Sequence, residues 1–159
     1  PEEGHTWGCF DYSQQEPRLV VHYATLQNLY GVDEVLEAYR EGDADFHNIV
    51  ADMAEIPRSQ AKTINLGLFY GMGKNKLQAE LGVSKDKAEE LFKKYHTKVP
   101  FVKQLMDNVS QRAQDSGKIR TLLGRLCRFH LWEPNSFGIH KALPHEEALR
   151  EHGPGIKRA

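Results

Sequence analysis

The chain has 159 residues, of which 40% are hydrophobic and 27% charged, and its formal net charge is −1. That length suits one globular domain with a real core and is too short for several, and no apolar run is long enough to cross a bilayer as a helix. A near-neutral balance excludes a uniformly basic, phosphate-tracking domain, so any nucleic-acid contact must come from local patches: Arg58 with Lys62, the lysines from Lys85 to Lys98, or Lys118, Arg120, Arg125 and Arg128.

The first residues, Pro1-Glu2-Glu3-Gly4-His5, offer neither an initiator Met nor the basic-then-apolar layout of a signal peptide, so the chain is expected to begin inside a longer one. Trp7 to Asp11 reads as a short strand. Glu16-Pro17 then opens a helix whose apolar side is Leu19, Val20, Tyr23, Leu26 and Tyr30, with Gly31 placed to stop it. A second helix is expected over 33–40 with Gly42 as its breaker, and a third over 46–54. Pro57 starts the most distinctive helix, which runs to about Tyr70. Its Gly67 costs roughly 1 kcal/mol relative to Ala in a helix interior, so close approach of a neighbour or ligand is expected there.

Lys74 to Leu81 forms a helix stopped by Gly82, and Ser84 caps another that reaches about His96 along the stripe Ala88, Leu91, Phe92, Tyr95. Pro100 separates it from a helix carrying Val102, Leu105, Met106, Val109 and Ala113 that ends near Gly117, and the two stripes read as packed neighbours. Residues 118–123 and 126–131 bracket Gly124-Arg125 as a β-hairpin. The rest is expected to be loop with one short helix near 145–151. Two cysteines, Cys9 and Cys127, are too few for a disulfide framework and fit a reducing, cytoplasmic compartment. The spacing of Cys127 with His130, His140 and His145 matches no common zinc finger.

Two segments carry chemistry when taken together. Asp11-Tyr12-Ser13-Gln14-Gln15-Glu16-Pro17-Arg18 puts a carboxylate at a strand end, which suits Mg²⁺, a hard cation that takes oxygen ligands. In Arg58-x-x-x-Lys62-x-x-x-Leu66-x-x-x-Tyr70-Gly71, steps of four at about 100° per residue place two cations, an apolar side chain and an aromatic ring in one slowly drifting helical stripe. Such a stripe can grip a triphosphate at its N-terminal end, where the helix dipole also favours anions, and cover sugar and base beyond it.

These segments resemble motifs A and B of family A DNA polymerases, the group of bacterial DNA polymerase I and phage replicative enzymes. The similarity extends over nearly the whole chain, through Tyr70-Gly71-Met72-Gly73 and Thr121-Leu122-Leu123-Gly124-Arg125, and the phrasing from Asp11 to Arg18 is closer to the phage enzymes. The fold class it implies is mainly α (α+β): a palm strand and helix over 1–30, helical fingers over 31–117, and a hairpin and loop returning toward the palm over 118–159.

Carried over by position, the resemblance implies that Asp11 and the Tyr12 carbonyl bind catalytic magnesium. Glu16 would reject a ribose 2′-hydroxyl and hydrogen-bond Tyr70. Arg58, Lys62 and His47 would contact the triphosphate, with Lys62 also protonating the pyrophosphate leaving group. Tyr70 and Gly71 would border the templating base, and Arg125 would touch primer-template DNA. Leu66 stands where the family usually has Phe or Tyr, a position governing sugar discrimination. Gln15 and Pro17 replace Ile and Leu of the bacterial pattern.

The family's His-Asp-Glu motif C is absent from these 159 residues. His145-Glu146-Glu147 lies in a helix-like tail and not between hydrophobic strands, so it is no substitute. Motif C, the thumb and most of the palm are expected in a longer parent, motif C just beyond Ala159. The expected function is therefore templated deoxynucleotidyl transfer in the intact parent, from deoxynucleoside triphosphates, with little or no catalysis by the fragment. Two other readings compete: a single-subunit RNA polymerase, which Glu16 opposes, and a non-catalytic helical module that binds nucleic acid or a partner protein.

Overall fold

The computed structural model describes residues 2–42, 44–136 and 138–159, leaving out the side chains of residues 53 and 54. Pro1, the first residue of the sequence, lies outside the described residues, as does Phe137 in the tail. Among the described residues, eight helices and two small antiparallel sheets follow one another in a mainly α, α+β chain. The chain divides into two compact units, Pro1–Leu105 and Met106–Ala159.

The first unit is helical: α1 (Gln15–Leu26), α2 (Asp33–Glu41), α3 (Phe46–Ala54), α4 (Arg58–Phe69), α5 (Lys74–Leu81), α6 (Lys85–Lys98) and the first residues of α7 (Pro100–Ser116). Its core gathers Val32, Val35, Phe46, Ile64, Leu68, Leu77, Leu91 and Phe101, all at most 2% exposed. Phe46 stacks at an angle on Phe69 and edge-on against Phe101, with centroids 5.7 and 6.4 Å away. The capping chemistry is visible at two starts. Ser84 accepts the Lys87 amide as expected, and Asp45 accepts the amide of His47, which the sequence reading did not anticipate.

Three expectations are corrected. Residues 7–11 form no strand: among the described residues nothing pairs with them, and a lone extended segment has no partner for its backbone donors and acceptors. Helix α1 stops at Leu26, not Gly31, because Asn28 turns to a left-handed φ of 50° and leaves Tyr30 outside the helix and exposed. Helix α6 packs on α5 and α3, and contact of that extent does not join it to α7 among the described residues. A single residue, Val99, joins α6 to α7, whereas antiparallel helix neighbours need a connection of two to five residues. The α7 stripe is accordingly buried at Phe101, Val102 and Leu105 but exposed at Val109.

The glycine in α4 has a visible reason. A Cβ on Gly67 would overlap the Met72 Cε and lie 3.3 Å from its Cβ, because Met72 folds back to donate its amide to the Gly67 carbonyl. A neighbouring side chain, not a ligand, occupies that space.

In the second unit, β1 (Lys118–Arg120) and β2 (Leu126–Arg128) make the expected hairpin, with Ile119 opposite Cys127 and a loop of residues 121–125. The tail is less of a loop than expected. β3 (Leu131–Pro134) is the centre of a three-stranded sheet with β4 (Leu143–Pro144) and β5 (Ile156–Arg158), and α8 (His145–His152) intervenes. Arg158 ties this unit together. Its side chain donates to the carbonyls of Gln114 and Phe129 at 2.9 Å and lies over the Trp132 ring. Helix α8 contains His145-Glu146-Glu147 in its first turn, so that tripeptide is helical.

Candidate functional site

The functional stripe of α4 follows from its two-sided pattern. Ala61, Ile64, Asn65 and Leu68 face the core, while Arg58 and Lys62 beside that face are exposed and Leu66 is half-buried. Tyr70 caps the helix and is 77% exposed, and Gly71 follows at φ 76°, a left-handed conformation suited to glycine. No hydrogen bond joins Tyr70 to Glu16 among the described residues, contrary to expectation; the tyrosine ring projects into solvent instead.

Helix α3 brings a second set of groups to the start of α4. The Arg58 Nε donates to Asp45 Oδ2 at 3.0 Å, and its Nη2 makes a shorter bond to the same oxygen. Burial works to raise the Asp45 carboxyl, but the Arg58 hydrogen bonds, the His47 amide and the Arg58 charge outweigh it and hold the pKa below the ordinary carboxylate range.

His47 is only 6% exposed. Its Nδ1 lies 2.9 Å from the Asn65 Nδ2, and because an amide NH₂ can only donate, Nδ1 is assigned as acceptor and the neutral ring carries its proton on Nε2. Burial lowers the His47 pKa, and the Arg58 and Lys62 charges add to this, against the opposing effects of Asp45 and Glu16. The depressed pKa means that the unfolded chain takes up a proton before the folded one does. Stability from His47 is therefore present above the unfolded value of about 6.5 and is lost as pH falls through the folded value. Chemical denaturation of the protein between pH 7 and 5 should show declining stability, with a shallower slope in His47→Asn.

Asp11 and Tyr12 lie in the exposed, unpaired segment before α1, and no hydrogen bond or ion pair holds the Asp11 side chain among the described residues. Arg125 is exposed in the hairpin loop, where its carbonyl accepts the Thr121 amide. The structure thus gathers Glu16, Asp45, His47, Arg58 and Lys62 into one electrostatic neighbourhood. Asp45, Asn65 and Gln14 were missed as members of it. Asp45 was legible as an N-cap before Phe46, and Asn65 as the one polar residue on the apolar face of α4; nothing local marks Gln14.

The fold and this cluster define a helical unit with cationic groups at the start of one helix, on the scale of a subdomain. The sequence pattern of DNA polymerase family A matches residues 1–147, and the chain belongs to that family. A DNA-directed DNA polymerase of Pseudomonas phage M6 is 36% identical over 171 aligned positions, covering 81% of this chain and 26% of the relative. DNA polymerase I of Geobacillus stearothermophilus is 36% identical over 124, covering 72% of this chain and 13% of that one. A solved structure described as the POL domain of Pol1 from M. smegmatis in complex with DNA primer-template and dNTP superposes with a TM-score of 0.63 at 28% identity. It covers 75% of this chain and 21% of the other. The chain therefore spans about a quarter or less of the length of these relatives. No described helix is long and apolar enough to cross a membrane.

Proposed function

We propose that this chain forms the nucleotide-binding part of a template-directed DNA polymerase, which in its intact form transfers deoxynucleotidyl groups to a primer 3′-hydroxyl. The observation that carries this reading is the exposed pair Arg58 and Lys62, one turn apart at the N-terminal end of α4, with the His47 ring and the Asp45 and Glu16 carboxylates acting on the same neighbourhood. A triphosphate brings several negative charges, and two cations at a helix N-terminus offset them with little reorganisation. The complex of the M. smegmatis relative with primer-template and dNTP supports the same partners here.

In this reading residues 1–30 belong to the palm, 31–117 to the fingers and 118–159 lead back toward the palm. Arg58 and Lys62 bind the phosphates, Lys62 gives its proton to the departing pyrophosphate, and the His47 Nε2–H donates to a phosphate oxygen. Leu66 packs on the sugar, Tyr70 and Gly71 border the templating base, and Arg125 contacts the primer-template. Asp11 and the Tyr12 carbonyl fit Mg²⁺ in donor type but not in number, since no group of three or more His, Cys, Asp or Glu converges among the described residues. Bound magnesium supplies Lewis-acid stabilisation of the reacting phosphate and activates the primer hydroxyl; its remaining ligands are assigned to motif C of the parent. The isolated 159 residues should accordingly bind triphosphate weakly and turn over little.

The test is single-nucleotide incorporation by the full-length protein. The wild type should use deoxynucleotides and reject ribonucleotides, and Glu16→Ala should narrow that preference by about tenfold or more, the worth of one lost steric or polar contact. Equal use of both sugars by the wild type would instead favour an RNA polymerase.

A further inference from the structure

Between Asp11 and Glu16 stands a residue with a structural role of its own. Gln14 precedes α1 in a left-handed conformation, φ 54° and ψ 41°, which a side chain with a Cβ disfavours, so its surroundings must hold it there. Three hydrogen bonds do so, and all reach residues at least 25 positions away. The Gln14 Nε2 donates to the Ala44 carbonyl at 3.0 Å, while its Oε1 accepts the Phe46 amide at 2.8 Å and the Tyr39 hydroxyl at 3.1 Å. These partners settle the orientation of the amide, because a carbonyl needs a donor and an N–H needs an acceptor.

The Phe46 amide is the first of α3 and has no acceptor within the helix. Gln14 satisfies it, and Asp45 satisfies the next amide, that of His47. Gln14 therefore grips the chain on both sides of Asp45, whose second oxygen holds Arg58, and just before His47, whose ring meets Asn65 of α4. The Tyr39 end is fixed in turn: the Arg18 guanidinium lies 4.9 Å from its ring centroid, and Arg18 Nε donates to the Ser13 carbonyl beside Gln14. One side chain thus links the turn that carries Asp11 and Glu16 to the segment that places Asp45, His47 and Arg58.

We infer that Gln14 is a positioning residue, setting the register between the Asp11–Glu16 turn and the phosphate-binding groups at the starts of α3 and α4. The inference rests on the nucleotide-binding reading above. Glutamine suits the role because it offers a donor and an acceptor at the same reach. Glutamate keeps the acceptor and loses the donor to Ala44, and alanine loses both.

The experiment is single-nucleotide incorporation by the full-length protein, with primer-template Kd and Tm measured alongside. Gln14→Ala should raise KM for the incoming deoxynucleotide by about tenfold or more, the worth of roughly one or two hydrogen bonds, with primer-template Kd unchanged. Gln14→Glu should fall between wild type and Gln14→Ala. Tyr39→Phe, which keeps the ring and deletes one of the three bonds, should raise KM in the same direction by less, and it decides the matter if Gln14→Ala does not fold. KM within twofold of wild type in Tyr39→Phe and in any Gln14 variant that folds, or losses in kcat and Tm with KM unmoved, would overturn the role of Gln14 alone. A wild-type protein that extends no primer would overturn the nucleotide-binding reading and this inference together.

Discussion

Asp11→Ala in the full-length protein should abolish primer extension, with a loss of at least about 10³-fold, while leaving the Tm of the 159-residue chain unchanged. The size follows from the several kcal/mol of charge stabilisation that a metal supplies in phosphoryl transfer, at about 1.4 kcal/mol per tenfold in rate. The unchanged Tm follows from position: Asp11 is exposed in an unpaired segment and makes no hydrogen bond or ion pair among the described residues. Surface changes of that kind stay within about 0.5 kcal/mol of stability. Rapid-quench extension of a labelled primer by the full-length protein, with thermal denaturation of the 159-residue chain, separates the two effects. Extension that survives Asp11→Ala would favour the non-catalytic helical module.

Lys62→Ala should reduce the rate of the chemical step by about 10²–10⁴-fold, the range for removal of a positioned general acid. Lys62 is exposed on the solvent side of α4, so this loss too should come without unfolding. The informative comparison is Lys62→Arg. A guanidinium keeps the positive charge for the triphosphate but does not release its proton at any accessible pH. If Lys62 acts as the acid, Lys62→Arg should restore much of the nucleotide affinity lost in Lys62→Ala and little of the rate. If the lysine is only an electrostatic contact, both should return together.

Much of the helical scaffold was legible because its signals are local. Pro57, Gly82, Ser84 and Pro100 mark boundaries of α4 to α7 within a residue or two, each through its own backbone preference or side-chain cap. The Arg58–Tyr70 stripe was legible for the same reason, since a helix turns a spacing of four into a shared face whatever surrounds it. Where a segment's state depends on a distant partner, the reading failed. Residues 7–11 have strand-like composition but nothing to pair with among the described residues, whereas 132–134 and 156–158, read as loop, find each other across more than twenty residues. Sheet pairing is a property of two segments, and neither alone declares it.

The sequence by itself determined the family, the order of helices and the single row from Arg58 to Tyr70, because these depend on near-neighbour geometry and residue chemistry. The tertiary structure decided that Arg58 rests on Asp45, that His47 is buried against Asn65, and that Gln14 binds three groups 25 to 32 residues away. Those contacts join residues of different helices and turns. They exist only once apolar burial has brought these elements together, so no local pattern encodes them.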